Sequence, residues 1–157
     1  GYIGDCSSDN TSNLVPIVTE VAFGIRDKLI VNGHDYNTHD GTCIRDYIHV
    51  SDLSYIHIKI LKKIEKIKKS TILNCGYGKG ISVKEVINGF IKIAKKQVNI
   101  IILKKRPADI VSSISDNKNL KNFIKWKPQY NNLSLIIKSC LEWEKTSNTS
   151  TFAKIHK

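Results

Sequence analysis

Hydrophobic positions along the chain fall into alternating helical and extended runs. Leu14, Ile17, Val18, Val21, Ala22 and Ile25 recur at the three- and four-residue spacing of one helix face. Thr11, Ser12 and Asn13 precede them as candidate N-cap oxygens, and Pro16 falls in the first turn, where its missing N–H costs little. Lys28–Val31 predicts a short strand, closed by Asn32-Gly33. The polar stretch from His34 to Thr42 is longer than a hairpin turn and is a candidate functional loop. Tyr47–Val50 predicts a second strand, after which Ser51 and Asp52 are placed to cap a helix. That helix carries an apolar stripe of Leu53, Ile56, His57, Ile60, Leu61 and Ile64, with lysines opposite. His57, on the stripe, reads as a satisfied, partly buried side chain.

Thr71–Cys75 predicts a buried strand leading into Gly76-Tyr-Gly-Lys-Gly80. Ser82 and Glu85 are spaced as a capping box, and Val83, Val86, Ile87, Phe90, Ile91 and Ala94 mark the core face of the helix they start. Val98–Leu103 predicts a strand, Lys104–Asp109 a loop and Ile110–Ile114 an extended segment. Asp116 starts a short helix ending near Trp126, and Leu133, Ile136, Ile137, Cys140 and Leu141 mark a final one. From Thr146 onward the chain is polar and unpatterned, and residues 148–157 are expected to form a disordered tail. Strands alternating with helices, without an internal repeat, place the chain in the α/β class with mixed strands and helices.

A length of 157 residues, 41% of them hydrophobic, makes room for one domain with a real core or a large piece of a bigger one. No apolar run approaches a membrane span, and no targeting signal is visible at the start. Cys6, Cys43, Cys75 and Cys140 lie far apart, with no histidine at metal spacing. The expectation is a cytoplasmic protein with reduced cysteines, no bound metal and no membrane. The chain contains no methionine, so Gly1 is not read as a translation start, and a fragment, a processed form or an incompletely assembled sequence is expected. A formal charge of +11 points toward polyanions. The lysines are spread along the chain, though residues 59–69 concentrate several, and no nucleic-acid module is recognisable. Nucleic acid is therefore not the expected partner.

Among 25 basic residues only Arg26, Arg45 and Arg106 are arginine. Where lysine serves nearly everywhere, a retained arginine points to planar, bidentate binding of phosphate or carboxylate. Arg45 also lies where a glycine-containing polar loop runs into an apolar segment, a place suited to an anionic ligand. The alternative is an ordinary surface ion pair with Asp46 or Asp52.

Asp40-Gly-Thr-Cys-Ile-Arg-Asp-Tyr-Ile-His-Val-Ser-Asp-Leu53 resembles, without interruption, the D-G-T-x-x-R-D-Y-I-H-V-x-D-L segment of UDP-glucose 4-epimerases, members of the extended short-chain dehydrogenase/reductase superfamily. Related nucleotide-sugar dehydratases and decarboxylases usually lack the preceding insertion, here Asn32–Asp40. Gly1-Tyr-Ile-Gly-Asp5 looks like the turn that follows the family's nucleotide-binding half. Asn74–Val86 is similar to a glycine-rich element of its C-terminal half. The resemblance covers residues 1–147 and implies the C-terminal, substrate-binding part of a Rossmann-type enzyme.

That resemblance implies a set of site residues. Asn13 and Leu14 match an N-N-L motif that holds diphosphate and lines the uridine pocket, with Ser12 replacing the first asparagine. Leu29, Ile30 and Asn32 match a strand beside uracil, Asn32 standing where an aromatic is usual. Arg45 and Tyr47 match phosphate- and ribose-side residues. Arg106 and Asp109 match an R-x-G-D in which arginine grips diphosphate and aspartate accepts from ribose hydroxyls; Ala108 replaces its glycine, which reads as a small change. Ser113 matches the residue that walls the sugar pocket, and its small size implies room for UDP-N-acetylhexosamines. The implied substrates are UDP-glucose and UDP-galactose, the cofactor NAD, and the parent enzyme a homodimer. In the family NAD takes hydride from sugar C4 while a tyrosine, paired with lysine, removes the hydroxyl proton. These elements are expected upstream of Gly1, so the chain alone is expected to be inactive.

Two patterns are decoys. Tyr55 and Lys59 satisfy the superfamily's Y-x-x-x-K spacing but follow the segment that the catalytic pair should precede. Gly76–Gly80 reads G-x-G-x-G rather than G-x-G-x-x-G, and is expected to be a structural turn. The competing readings are a truncated, non-catalytic module binding nucleotide sugar or a polyanion, and another nucleotide-sugar enzyme of the same superfamily.

Overall fold

The first predicted helix forms over Leu14–Phe23 (α1) in the computed structural model of the chain, which describes residue 4 and residues 11–149. Asn13 occupies its N-cap without a side-chain cap bond. Gly24, at φ 74°, closes the helix in the left-handed conformation that glycine adopts without a Cβ clash. Ile25 lies beyond this stop and is 55% exposed, so it leaves the predicted stripe.

Leu29–Asn32 (β1) pairs in parallel with Ile100–Leu103 (β4), Leu29 opposite Ile100 and Asn32 opposite Leu103. Strand alternation turns Leu29 and Val31 into the core and leaves Ile30 exposed. A second sheet centres on Ile44–Arg45 (β2), antiparallel to Ile81–Ser82 (β3) and parallel to Ser112–Ser113 (β5). The helices are completed by Val50–Leu61 (α2), Val83–Ala94 (α3), Lys118–Ile124 (α4) and Leu133–Thr149 (α5). The capping box at the start of α3 forms as expected: Ser82 Oγ accepts from the Glu85 N–H, and the Glu85 carboxylate from the Ser82 N–H.

Two hydrophobic clusters hold these elements together. In one, Val18 of α1, Val86 and Phe90 of α3, Ile137 of α5 and Leu29 of β1 are buried together. Truncating a fully buried Phe90 to alanine costs roughly 3–5 kcal/mol on this account. Gly89 lets α5 approach α3, since a Cβ there would lie 2.6 Å from Ile137 Cδ1. In the other, Ile56 of α2 meets Leu120 and Ile124 of α4, with Tyr77, Trp126 and Ile136. Adjacent residues of α5, Ile136 and Ile137, thus serve different clusters.

The α/β class is borne out, with departures in detail. The strand expected at Tyr47–Val50 is instead Ile44–Arg45, and Val50 already belongs to α2. The N-cap is His49, whose Nδ1 accepts from the Ser51 N–H, rather than Ser51 or Asp52. His57 is exposed and bonds the Leu53 carbonyl of its own helix. Thr71–Cys75 joins no sheet, and Ile72 is 89% exposed. Asn117 rather than Asp116 is the N-cap of α4, although Asp116 accepts from the Lys118 N–H. Helix α5 runs on to Thr149, Thr146 Oγ1 donating to the Glu142 carbonyl one turn back, so the polar pattern after Thr146 does not end it. The expected turn at residues 1–5, apart from Gly4, and the tail at residues 150–157 lie outside the described residues.

Candidate functional site

Parallel strands β1 and β4 finish side by side, and each releases a loop at its carboxyl end, the position where α/β sheets receive ligands. The Gly33 N–H donates to the Leu103 carbonyl at 2.9 Å, fixing the two exits together. Gly33 sits at φ 83°, and a Cβ there would collide with the Tyr36 ring. The first loop then folds on itself: Tyr36 N–H donates to Gly41 O, and Asp40 accepts from both Thr42 N–H and Thr42 Oγ1. Ser82 Oγ also donates to Asp40, which ties the loop to the start of α3.

The loop leaves as β2, which places Arg45 opposite Ser113 of β5 in parallel register. The loop after β4 brings Arg106 and Asp109 against the first. Tyr36 Oη donates to Asp109 Oδ2 at 3.0 Å, and Arg106 contacts both Asp109 oxygens at 3.2 Å. Lys105 donates to the Asp35 carbonyl at 2.8 Å, pairs with the Asp35 carboxylate at 3.1 Å, and lies 5.0 Å from the Tyr36 ring centroid. Hydrogen bonding from Arg106 holds the Asp109 carboxyl below the usual carboxylate range, helped by Tyr36 and by the charges of Arg106 and Arg45. Arg106, Asp109 and Tyr36 therefore form one bonded group, with the charge of Arg45 acting on it and Ser113 beside Arg45 in the sheet.

The remaining predicted residues divide. Ile30 and Asn32 lie on the open face of β1, whereas Leu29 turns its side chain into the core and leaves only its main chain for a ligand. Tyr47 packs against both clusters. Burial pushes its phenol up to about 12, against the opposing charge of Arg45. Leu14 packs on the α1–α3–α5 core, while Asn13 is exposed at the start of α1. Tyr55 and Lys59 lie one turn apart on α2, with the ammonium 5.2 Å from the ring centroid.

Two residues carry more than their sequence positions indicated. Tyr36, absent from the predicted site, is only 7% exposed and bridges the two loops; an aromatic residue within an otherwise polar functional loop was its available signal. Asp46 does not pair with Arg45. Its carboxylate accepts from the Tyr77, Gly78 and Ser115 N–H groups at 3.1, 2.9 and 3.2 Å. Arg45 instead donates to the Ile44 carbonyl at 2.7 Å. Ala108 is no small change from glycine, because it stands at φ 64°, where a Cβ is strained.

Chemically, the arrangement has groups suited to anions and hydroxyls. Two guanidinium groups suit a diphosphate and the carboxylate suits a vicinal diol. Burial, with the Asp109 carboxylate and Cys43, holds the Tyr36 phenol up to about 12. Neither Tyr36 nor Tyr47 therefore supplies a phenolate near neutral pH. The Gly76–Gly80 turn does not fit a dinucleotide. Its Tyr77 and Gly78 amides are taken by Asp46, and Cβ atoms at Gly76 and Gly80 would meet Asp46 and Ser115, and Ile44 and Ile114.

The fold is that of the C-terminal part of an extended short-chain dehydrogenase/reductase, and comparison with known proteins narrows the class. No family model matches the chain. It is 37% identical over 145 residues to UDP-glucose 4-epimerase of Halalkalibacterium halodurans, covering 92% of this chain and 43% of that protein. UDP-glucose 4-epimerase from Stenotrophomonas maltophila, solved with NAD and formylated UDP-arabinopyranose, superposes with a TM-score of 0.87 at 34% identity, over 93% of this chain and 43% of that one. The UDP-Glc/GlcNAc 4-epimerase of Campylobacter jejuni is 40% identical with a TM-score of 0.78, over 89% of this chain and 42% of that one. The chain is homologous to the C-terminal half of UDP-glucose 4-epimerases, and it spans about two fifths of the length of these relatives.

Proposed function

We propose that this chain binds the UDP-sugar in a UDP-glucose 4-epimerase that interconverts UDP-glucose and UDP-galactose with NAD, and that the chain alone does not turn over. The observation that carries the reading is that Arg106 and Asp109 pair in the loop at the carboxyl end of β4, with Arg45 of β2 close enough for its charge to act on Asp109. In this reading Arg45 and Arg106 neutralise the diphosphate and Asp109 accepts from the ribose hydroxyls. Ile30 and Asn32 border the base, with the main chain of Leu29 beside them. Asn13, Leu14 and Tyr47 complete the nucleotide side, and Ser113 leaves space beside the sugar. NAD and the proton-transferring pair belong to the part of the relatives' length that this chain does not span, and the parent enzyme acts as a homodimer.

Titration calorimetry with UDP and UDP-glucose tests the reading. Saturable binding is expected, weakened at least tenfold by Arg45→Ala or Arg106→Ala, because each substitution removes a charge-assisted contact. No binding by the unaltered chain overturns the proposal. Turnover of UDP-galactose by the isolated chain with NAD overturns its second half. The formal charge of +11 favours one alternative, a polyanion-binding module. Steeply salt-dependent nucleic-acid binding that UDP does not displace would put that module first.

A further inference from the structure

We infer that Tyr36 is a positioning residue for the nucleotide: its hydroxyl holds the Asp109 carboxylate where it accepts from the ribose diol. The inference rests on the proposed UDP-binding role of Asp109.

Asp109 has two partners, and they differ in what anchors them. Arg106 is 62% exposed in its side chain, and a surface ion pair three residues apart fixes a geometry weakly. Tyr36 is rooted. Its ring is 7% exposed, packs beneath Gly33 and lies under the Lys105 ammonium. Its N–H is bound to the Gly41 carbonyl, and Lys105 is itself held at Asp35. The Tyr36 hydroxyl is thus the fixed end of a chain of contacts whose free end is a carboxylate.

The backbone near Asp109 gives this anchor a task. Ala108 holds a left-handed conformation that alanine disfavours, so the turn tends to relax and carry Asp109 with it. Arg106 lies within the same turn and moves with it. Tyr36 comes from the loop after β1, 73 residues away, and holds the turn from outside. When a guanidinium turns from Asp109 to a bound diphosphate, Tyr36 remains to keep Oδ2 in place and leaves Oδ1 to the ribose. Because the phenol stays protonated, it acts as a donor throughout the neutral range.

The test compares UDP with 2′-deoxy-UDP by calorimetry in the parent, Tyr36→Phe, Asp109→Asn and the double variant. Phenylalanine keeps the ring packing against Gly33 and Lys105 and removes only the hydroxyl. The parent is expected to prefer UDP about tenfold, the worth of one hydrogen bond to a charged group. Tyr36→Phe is expected to bring that preference close to parity, and in the Asp109→Asn background it should change nothing further. A merely structural role would weaken both ligands alike and leave the ratio intact, and that result overturns the inference. If Asp109→Asn retains the preference, the assignment of Asp109 falls and the inference with it. If the parent binds neither nucleotide, the UDP-binding reading itself falls.

Discussion

Replacing Asp46 by alanine separates the architectural half of the Arg45-Asp46 dipeptide from the half proposed to face a ligand. The Asp46 carboxylate takes N–H groups from Tyr77, Gly78 and Ser115, and so joins the end of β2 to the glycine turn and to the segment after β5. Alanine leaves all three donors without that acceptor. The Gly78 N–H lies at an exposed position and recovers water, whereas the bonds to Tyr77 and Ser115 are partly buried. Two stranded donors at about 1–3 kcal/mol each, near the upper end because the acceptor is charged, give a loss of about 3–5 kcal/mol. That is a large share of an ordinary domain's stability. Asparagine keeps one carbonyl oxygen but turns an amide nitrogen toward a donor, so Asp46→Asn is expected to cost about half as much. Trp126 is 4% exposed and stacks on Tyr77 with ring centroids 6.0 Å apart, so its fluorescence during urea unfolding reports from beside the turn. A midpoint shift worth less than about 1 kcal/mol for Asp46→Ala, at unchanged urea slope, refutes the reasoning. So does equal loss in the two variants.

Ala108→Gly should raise stability by about 1 kcal/mol, seen as a higher urea midpoint, because it relieves a Cβ at φ 64° and gives back part of the gain through a freer unfolded chain. His49 should make the fold acid-sensitive. Its Nδ1 accepts from the Ser51 N–H and its Nε2 lies 3.1 Å from Ser139 Oγ, the neutral Nε2–H tautomer, and burial lowers its pKa despite the attraction of Asp52. The unfolded chain then binds the proton more readily, so this stabilisation is complete above the ordinary imidazole value near 6.5 and is lost as pH falls from there through the depressed folded value. His49→Asn should flatten the thermal midpoint between about pH 7 and 5, and an unchanged slope there would refute the assignment. Ser113→Tyr should weaken UDP-N-acetylglucosamine binding at least tenfold while sparing UDP-glucose, and equal affinities before and after would remove Ser113 from the sugar wall.

Helices α1, α3 and α5 were legible because their apolar faces are buried by this chain's own residues, whereas on α2 only Ile56 of the expected stripe is buried and Leu61 is exposed. Val18, Val86, Phe90 and Ile137 answer one another within a single cluster. The same reading failed for Thr71–Cys75, expected to be a buried strand. A continuous apolar run records the surroundings a strand is built for, buried on both faces in a parallel sheet, and the described residues do not supply them. Ile72 is 89% exposed, and all four residues of β4 are exposed. Scarcity against lysine singled out Arg45 as a candidate, and the partners of Asp46, Asp52 and Tyr36 were not legible at all. Asp46 reaches Tyr77, 31 residues on; Asp52 takes the Tyr77 hydroxyl and the Gln129 and Tyr130 N–H groups; Tyr36 reaches Asp109. A carboxylate that binds backbone amides has no complementary side chain to betray it, since every residue type but proline offers the same N–H. Charge patterning therefore finds ligand-facing arginines more readily than inward-facing aspartates. The R-D-Y run joins both kinds: Arg45 lies among the site residues, and Asp46 braces the turn beneath them.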